Sequence, residues 1–191
     1  MAERDAIPTE TAAAVKLVVL DVDGVMTDGG IYYAAGPEGG TLELKRFEIT
    51  DGLGIKLLQR AGIEVAFVTG RHSEIVEMRG RELGVREIHQ DPAAKKLPIV
   101  RAILDRKALD WKAVAFVSDD LADMPVLKRC GLPVAVANAV PEVSAAAIWQ
   151  TTRPGGSGAV REFAEALLRA RGDWDTVVGS YLAEREVGAD G

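Results

Sequence analysis

Short apolar runs that read as strands alternate along this chain with stretches that read as helices, and that alternation constrains the fold more than any other feature. Residues 17–20, 65–68, 114–117 and 134–137 are rich in valine, and residues 87–90 and 147–150 are weaker strand candidates. Between and after them, residues 52–61, 73–83, 96–107, 121–129 and 159–171 carry apolar side chains at helical spacing. Ser73 and Gly84 stand where caps would start and stop the second of these helices. Strand followed by helix, repeated, implies an α/β fold, a doubly wound and Rossmann-like parallel sheet. Residues 30–48 depart from the rhythm. They place β-forming residues on both sides of a Gly/Pro-rich turn at 36–40, which predicts an inserted β-hairpin. From about residue 153 a Gly/Ser-rich stretch predicts a flexible C-terminal tail that runs into the last helix candidate, and residues 184–191 read as frayed. The 191 residues, 48% hydrophobic, predict one domain over 1–191 rather than two.

Composition narrows the chemistry by exclusion. A net charge of -6 with no long basic run gives no footprint for nucleic acid or an anionic membrane, so the expected partner is a small molecule or another copy of the chain. The apolar stretch 15–26 is broken by Lys16, Asp21 and Asp23 and falls short of the roughly 18 residues a membrane span needs. The first ten residues hold acids and a proline where a secretory signal would be basic and then apolar, which predicts a cytoplasmic protein. A single cysteine, Cys130, excludes an internal disulfide or a cysteine-based zinc site, and two histidines supply metal clusters and histidine-centred hydrolysis poorly. Chemistry must therefore rest on carboxylates.

Carboxylates stand where a parallel sheet would present them. In an open sheet of this kind the functional crevice lies beyond the carboxyl ends of the strands. The first strand candidate runs directly into Asp21 and Asp23, another into Thr69-Gly70-Arg71, and a third into Ser118, Asp119, Asp120 and, three residues on, Asp123. Acids gathered that closely repel one another unless a cation or shared protons offset them. Oxygen donors without histidine or thiolate favour magnesium, held by a few carboxylates, waters and substrate phosphate. Lys96 could add positive charge toward a phosphoryl group. A carboxylate nucleophile, an acid two residues on, a hydroxyl, a lysine and metal-binding acids suit phosphoryl transfer through an aspartyl-phosphate.

In order, DVDGVMTDG, TGR, the lysine and SDDLAD match the four motifs of the haloacid dehalogenase superfamily, and the resemblance covers nearly the whole chain. Within it, DVDGVMTDGGIYY, FEITDGLGI, VAFVTGRHSEIVEMRGRELGV, SDDLADMPVLKRCGL and GGSGAVRE resemble the small, capless branch of 3-deoxy-D-manno-octulosonate 8-phosphate phosphatases. The resemblance implies a magnesium-dependent phosphatase for a sugar-acid phosphate, acting in lipopolysaccharide precursor synthesis. Asp21 would attack phosphorus, and Asp23 would protonate the leaving hydroxyl and then activate water. Thr69 would bond the phosphoryl oxygens. Lys96, chosen over Lys95 for its offset of 23 residues to Asp119, would complete the set. The implied metal ligands are Asp21, the Asp23 carbonyl and Asp119, with Asp120 and Asp123 as auxiliary groups. Thr27, Gly70, Arg71 and Arg161 are candidate substrate contacts. Only 46 residues separate Asp23 from Thr69, and 27 separate Thr69 from Lys96, which leaves room for a hairpin and not a cap domain. Similar proteins form tetramers in which the hairpin and a neighbour's tail help close the site, so a homotetramer is expected, with GGSGAVRE and Arg161 as the lid.

Two positions depart from the family pattern. Ser118 stands where glycine is usual, and Thr50 stands where an arginine could pair with a sugar-acid carboxylate, a task that Arg71 could take over. Three other functions stay open on the residues alone: a phosphatase for nonulosonate 9-phosphates, a receiver-like phosphoaspartate module and a noncatalytic oligomerising module. His72 has a rim position with no assigned role.

Overall fold

The computed structural model describes residues 6–186. In chain order these form α1 (Thr9–Ala14), β1 (Leu17–Leu20), β2 (Tyr32–Ala35), β3 (Thr41–Leu44), α2 (Ile49–Arg60), β4 (Glu64–Thr69), α3 (Glu74–Glu82), β5 (Glu87–Gln90), α4 (Lys96–Lys107) and β6 (Val114–Ser118). Then follow α5 (Met124–Leu127), β7 (Leu132–Ala135), α6 (Pro141–Ala146), β8 (Trp149–Gln150), α7 (Ala159–Arg171) and α8 (Trp174–Glu186). Six strands make one parallel sheet in the order β5-β4-β1-β6-β7-β8, and β2 and β3 pair apart as an antiparallel hairpin. The expected Rossmann-like α/β architecture is present, with the chain reversing direction across the sheet between β1 and β6.

Both faces of the sheet are covered, which is why its central strands are apolar at every position. Along β1, Val18 and Leu20 face a core built with Ile55 and Leu58 of α2, Val76 of α3 and Phe163 and Leu167 of α7. Leu17 and Val19 face the opposite core, with Val100 and Ile103 of α4, Leu127 of α5 and Val143 of α6. Neighbouring strands continue the alternation, so Phe67 of β4 lies in the first core and Phe116 of β6 in the second. Matched ladders from Leu17–Leu20 to both β4 and β6 set the three central strand ends side by side.

Several boundaries differ from expectation for identifiable reasons. Strand β7 begins two residues early and contains Pro133, a residue that argues against a strand interior. It is tolerated because β8 pairs only with Val134 and Ala135, while the Pro133 carbonyl accepts the Ile148 N–H at 2.9 Å. Ser73 precedes α3 without a side-chain capping bond. Its N–H instead donates to Gln90 Oε1 at 2.5 Å, tying the helix start to β5. Residues 121–129 divide into a 3-10 turn over Leu121–Asp123 and the short α5, because Pro125 sits where a helix can begin but not continue through. Residues 184–186, expected to fray, are the last turn of α8, and 187–191 lie outside the described residues. Among the described residues no helix is long and apolar enough to cross a membrane.

Between β1 and α2 stands only the hairpin. Its turn is closed by the Gly36 N–H bonding the Gly40 carbonyl at 2.8 Å. Its base is fixed by an isolated bridge between Thr27 and Phe47.

Candidate active site

The loop after β1 is a tight arch whose groups are consumed in holding its own shape. Met26 and Thr27 N–H both donate to the Val22 carbonyl. Thr27 is buried, and its hydroxyl accepts from Gly24 N (3.4 Å) and Gly29 N (3.3 Å) while donating to Val22 O (3.3 Å). Thr27 was expected to touch substrate; the structure instead engages its hydroxyl with loop backbone. Gly24 has φ +84°, and a Cβ there would lie 2.0 Å from Asp119 Oδ2, so only glycine lets the arch pass over that carboxylate.

At the arch's start, Asp21 extends β1 and turns its carboxylate inward. Its Oδ1 accepts from Val22 N at 2.6 Å and from Lys96 Nζ at 2.7 Å. Lys96, at the first turn of α4, is only 3% exposed and also reaches Asp123 Oδ1 at 2.7 Å. Lys95 beside it is exposed. Asp119 follows β6, and Asp21, Asp119 and Asp123 each offer a carboxylate oxygen within 4.8 Å of the others. Two acids thus clasp one ammonium, and Asp119 stands beside them as a third. Burial, opposed by Lys96 and helped by the charge of Asp123, pushes the Asp21 carboxyl above the usual carboxylate range. Burial and the charges of Asp123 and Asp120 push Asp119 up to about 6. Burial works against the charge on Lys96, but the two carboxylates it touches outweigh that and hold it above the usual lysine value. Asp119 Oδ1 is buried without a hydrogen-bond partner among the described residues. A buried orphan oxygen inside an excess of negative charge is what a hard divalent cation would relieve, so the residues present fit magnesium.

Thr69 ends β4 beside this cluster, its hydroxyl 3.5 Å from Asp23 Oδ2 and accepting the Arg71 N–H at 3.3 Å. Gly70 packs against Ala94, where a Cβ would approach the alanine methyl to 3.0 Å. Arg71 is exposed and pairs with Glu43 of the hairpin at 3.1 Å. Asp120 is exposed, and its carboxylate caps the 3-10 turn through Leu121 N at 2.7 Å. His72 is exposed.

Arg161 stands apart from these groups. It lies in the first turn of α7, donates its N–H to Asp51 Oδ1 at 2.8 Å and its Nε to Glu165 at 2.5 Å. The glycines before it were expected to allow lid movement. In the structure they permit close contact: a Cβ on Gly155 would sit 1.9 Å from the Gly24 carbonyl oxygen, and Asn138 clamps the pair by accepting from Gly155 N (2.7 Å) and donating to Gly24 O (3.0 Å). Residues 155–156 are therefore a brace behind the arch. Gly155→Ala is expected to destabilise the fold by about 2–3 kcal/mol, because backbone meets backbone and neither can give. Urea unfolding of the variant measures this, and unchanged stability would refute the brace.

Sequence reasoning missed two residues that shape the site, Asn138 and Lys45, whose ammonium pairs with Asp23. It singled out Ser118 without a role: the residue is fully buried, its hydroxyl 2.8 Å from Asp123 Oδ2, so the serine in place of the usual glycine holds an acid of the cluster. A polar residue at a buried strand end signalled Ser118; nothing local signals the other two.

A parallel sheet that delivers acids from two adjacent strand ends, a threonine from a third and a buried lysine to one crevice defines a phosphoryl-transfer hydrolase of the α/β class. The haloacid dehalogenase-like hydrolase profile matches residues 87–162. The chain is 42% identical over 171 residues to the 3-deoxy-D-manno-octulosonate 8-phosphate phosphatase KdsC of Escherichia coli K12, covering 90% of this chain and 88% of that one. It is 39% identical to KdsC of Yersinia pestis, covering 89% and 88%. The chain therefore belongs to the 3-deoxy-D-manno-octulosonate 8-phosphate phosphatase family of haloacid dehalogenase-like hydrolases. Among solved structures, the Moraxella catarrhalis phosphatase in complex with magnesium, phosphate and KDO superposes with a TM-score of 0.84 at 34% identity, over 91% of this chain and 97% of that one. The cobalt-bound Haemophilus influenzae enzyme does so at 0.78 and 34%, over 85% and 92%.

Proposed function

We propose that this chain is a magnesium-dependent phosphatase that hydrolyses 3-deoxy-D-manno-octulosonate 8-phosphate through an aspartyl-phosphate on Asp21. The observation that carries the reading is the Lys96 ammonium bound to both Asp21 and Asp123 within a cluster of three acids. Asp21, Asp119, Asp123 and the Asp23 carbonyl would hold magnesium, which when bound supplies charge to the phosphoryl oxygens and neutralises the acids. With Oδ1 held by Val22 and Lys96, Asp21 Oδ2 attacks phosphorus. The phosphorus–ester oxygen bond breaks, and Asp23 gives its proton to the departing sugar oxygen. Water then attacks the phosphorus of the aspartyl-phosphate, and the Asp23 carboxylate takes a proton from it. Inorganic phosphate leaves and Asp21 is restored. Lys96 and the Thr69 hydroxyl stand beside the path of the transferring group and offset its charge. Gly70 and Arg71 line the approach to Thr69.

The substrate follows from the family, and Thr50 makes the choice of sugar acid a point to test. It lies in the first turn of α2, and its hydroxyl is 3.4 Å from Glu48 Oε1, so it offers no cation to a carboxylate. Phosphate release from a panel holding 3-deoxy-D-manno-octulosonate 8-phosphate and nonulosonate 9-phosphates is expected to be selective for the former, to stop with EDTA and to return with magnesium. Selective release from the nonulosonates would move the enzyme to sialic-acid-like metabolism. No release at all would favour a noncatalytic or receiver-like module.

A cytoplasmic homotetramer belongs to the same reading. On one face of the hairpin, Tyr32 lies opposite Leu44 and Ala34 opposite Leu42, and the three larger side chains are each about half exposed. Two-stranded ribbons are marginal in water, and an apolar face of this kind calls for a covering copy. Light scattering should give four times the chain mass, with Leu42→Asp and Leu44→Asp together reducing it.

A further inference from the structure

Lys45 lies one residue beyond β3, on the hairpin's inner side with Glu43. A lysine there would ordinarily be a solvated charge at an edge. Its side chain is instead 4% exposed, and Nζ bonds Asp23 Oδ1 and lies 3.9 Å from Glu43 Oε1. An ammonium is costly to bury unless paired, and here the pairing is with an acid that acts on the substrate. The residues on either side of Lys45 are tied to neighbouring segments. Glu43 is tied to Arg71 at 3.1 Å, Arg46 Nη1 donates to the Gly156 carbonyl at 2.8 Å, and Phe47 bridges to Thr27 of the arch.

Asp23 has few other restraints. It sits in the loop after β1, its side chain is 25% exposed, and among the described residues its second oxygen hydrogen-bonds only the Thr69 hydroxyl, at 3.5 Å and the outer limit of a hydrogen bond. Free of Lys45, that carboxylate would turn about two side-chain torsions. We propose that Lys45 is a positioning residue of the phosphatase reaction: its ammonium holds the Asp23 carboxyl group in one rotamer, with Oδ2 toward Thr69, so that the hairpin supplies part of the proton-transfer apparatus. The inference rests on the reading of Asp23 as acid and base given above. It gives the hairpin a task beyond walling the site, because displacing the ribbon withdraws the anchor from Asp23.

Proton donation matters most when the leaving group is a poor one. A sugar alkoxide needs the proton from Asp23, whereas p-nitrophenolate departs without it; both esters still need Asp23 to activate water against the aspartyl-phosphate. The test uses the full chain saturated with magnesium, with Lys45→Met and Lys45→Gln as uncharged variants, Lys45→Arg as the conservative one, and melting curves to show that each is folded. On 3-deoxy-D-manno-octulosonate 8-phosphate the uncharged variants are expected to lose about 10²-fold in kcat with KM little changed, and Lys45→Arg to recover most of it. On p-nitrophenyl phosphate they are expected to release a rapid burst of one p-nitrophenolate per site before slow turnover, since only the second step is left waiting for Asp23. A raised KM with kcat retained would overturn the proposal in favour of a substrate contact. Uncharged variants with wild-type kcat, or slowed equally on both esters without a burst, would overturn it too. A wild-type chain inert on both esters would refute the phosphatase reading itself, an outcome distinct from any of these.

Discussion

Asp21→Asn is expected to be folded and inert, with phosphate release from 3-deoxy-D-manno-octulosonate 8-phosphate reduced on the order of 10⁴-fold to 10⁶-fold at saturating magnesium. The amide keeps the shape of the carboxylate and can still accept from Val22 N and Lys96 Nζ through its oxygen, the two bonds that fix Oδ1 now. What it lacks is a nucleophile: an amide does not form the phosphoenzyme, and no other acid is placed to replace it, since Asp123 is buried behind Lys96 and Asp119 lies under Gly24. Stability should change little. The substitution removes a repulsion with Asp123 and weakens one ion pair to Lys96, effects of opposite sign. Phosphate release and melting temperature, measured on the same preparation, separate the chemistry from the fold. Turnover near the wild-type rate would refute Asp21 as nucleophile, whereas a lost transition with lost activity would reveal it as a structural acid.

The parts of this molecule that were legible in the sequence are those where one residue type must serve both a local and a global demand. Four uninterrupted apolar runs require burial on both faces, and a parallel sheet under two layers of helices is the architecture that supplies it. Asp21, Thr69 and Asp119 were legible because each stands at or just past the carboxyl end of such a run, where the topology of the sheet opens a crevice. Lys45 was not. Its partner Asp23 is 22 residues away and the hairpin must fold back before the two meet, so a lysine in an alternating strand reads as solvated. The glycines at 155 and 156 were ambiguous for a related reason: glycine serves mobility and close contact equally, and the close contact of Gly155 with the Gly24 carbonyl is visible only in the fold. The short α1 and α6, six residues each, carry too few turns for periodicity to register, and α8 presents apolar and polar residues with little sidedness.

Lys96→Met is expected to divide stability from catalysis, and to do so through magnesium. Among the described residues Lys96 is the single cation paired with Asp21 and Asp123, and removing it leaves two buried carboxylates without the partner that each contacts at 2.7 Å. Breaking a buried pair in this way costs about 3–5 kcal/mol, because the orphaned charge and not the lost attraction dominates. In EDTA the variant should therefore melt well below the wild type. Magnesium bound by the same acids supplies positive charge in the same place, so the gap should narrow as the cation is added, more for the variant than for the wild type. Activity should not follow. With the ammonium gone from beside Asp21, the charge of the transferring phosphoryl group loses one of its fixed partners, and kcat should remain about 10²–10³-fold low even where magnesium has restored the melting temperature. If the variant is as stable as the wild type in EDTA, Lys96 does not balance the acids and the electrostatic account of the cluster fails. If magnesium restores rate and stability together, the lysine is a structural counter-ion, and the positive charge used in phosphoryl transfer comes from elsewhere in the site.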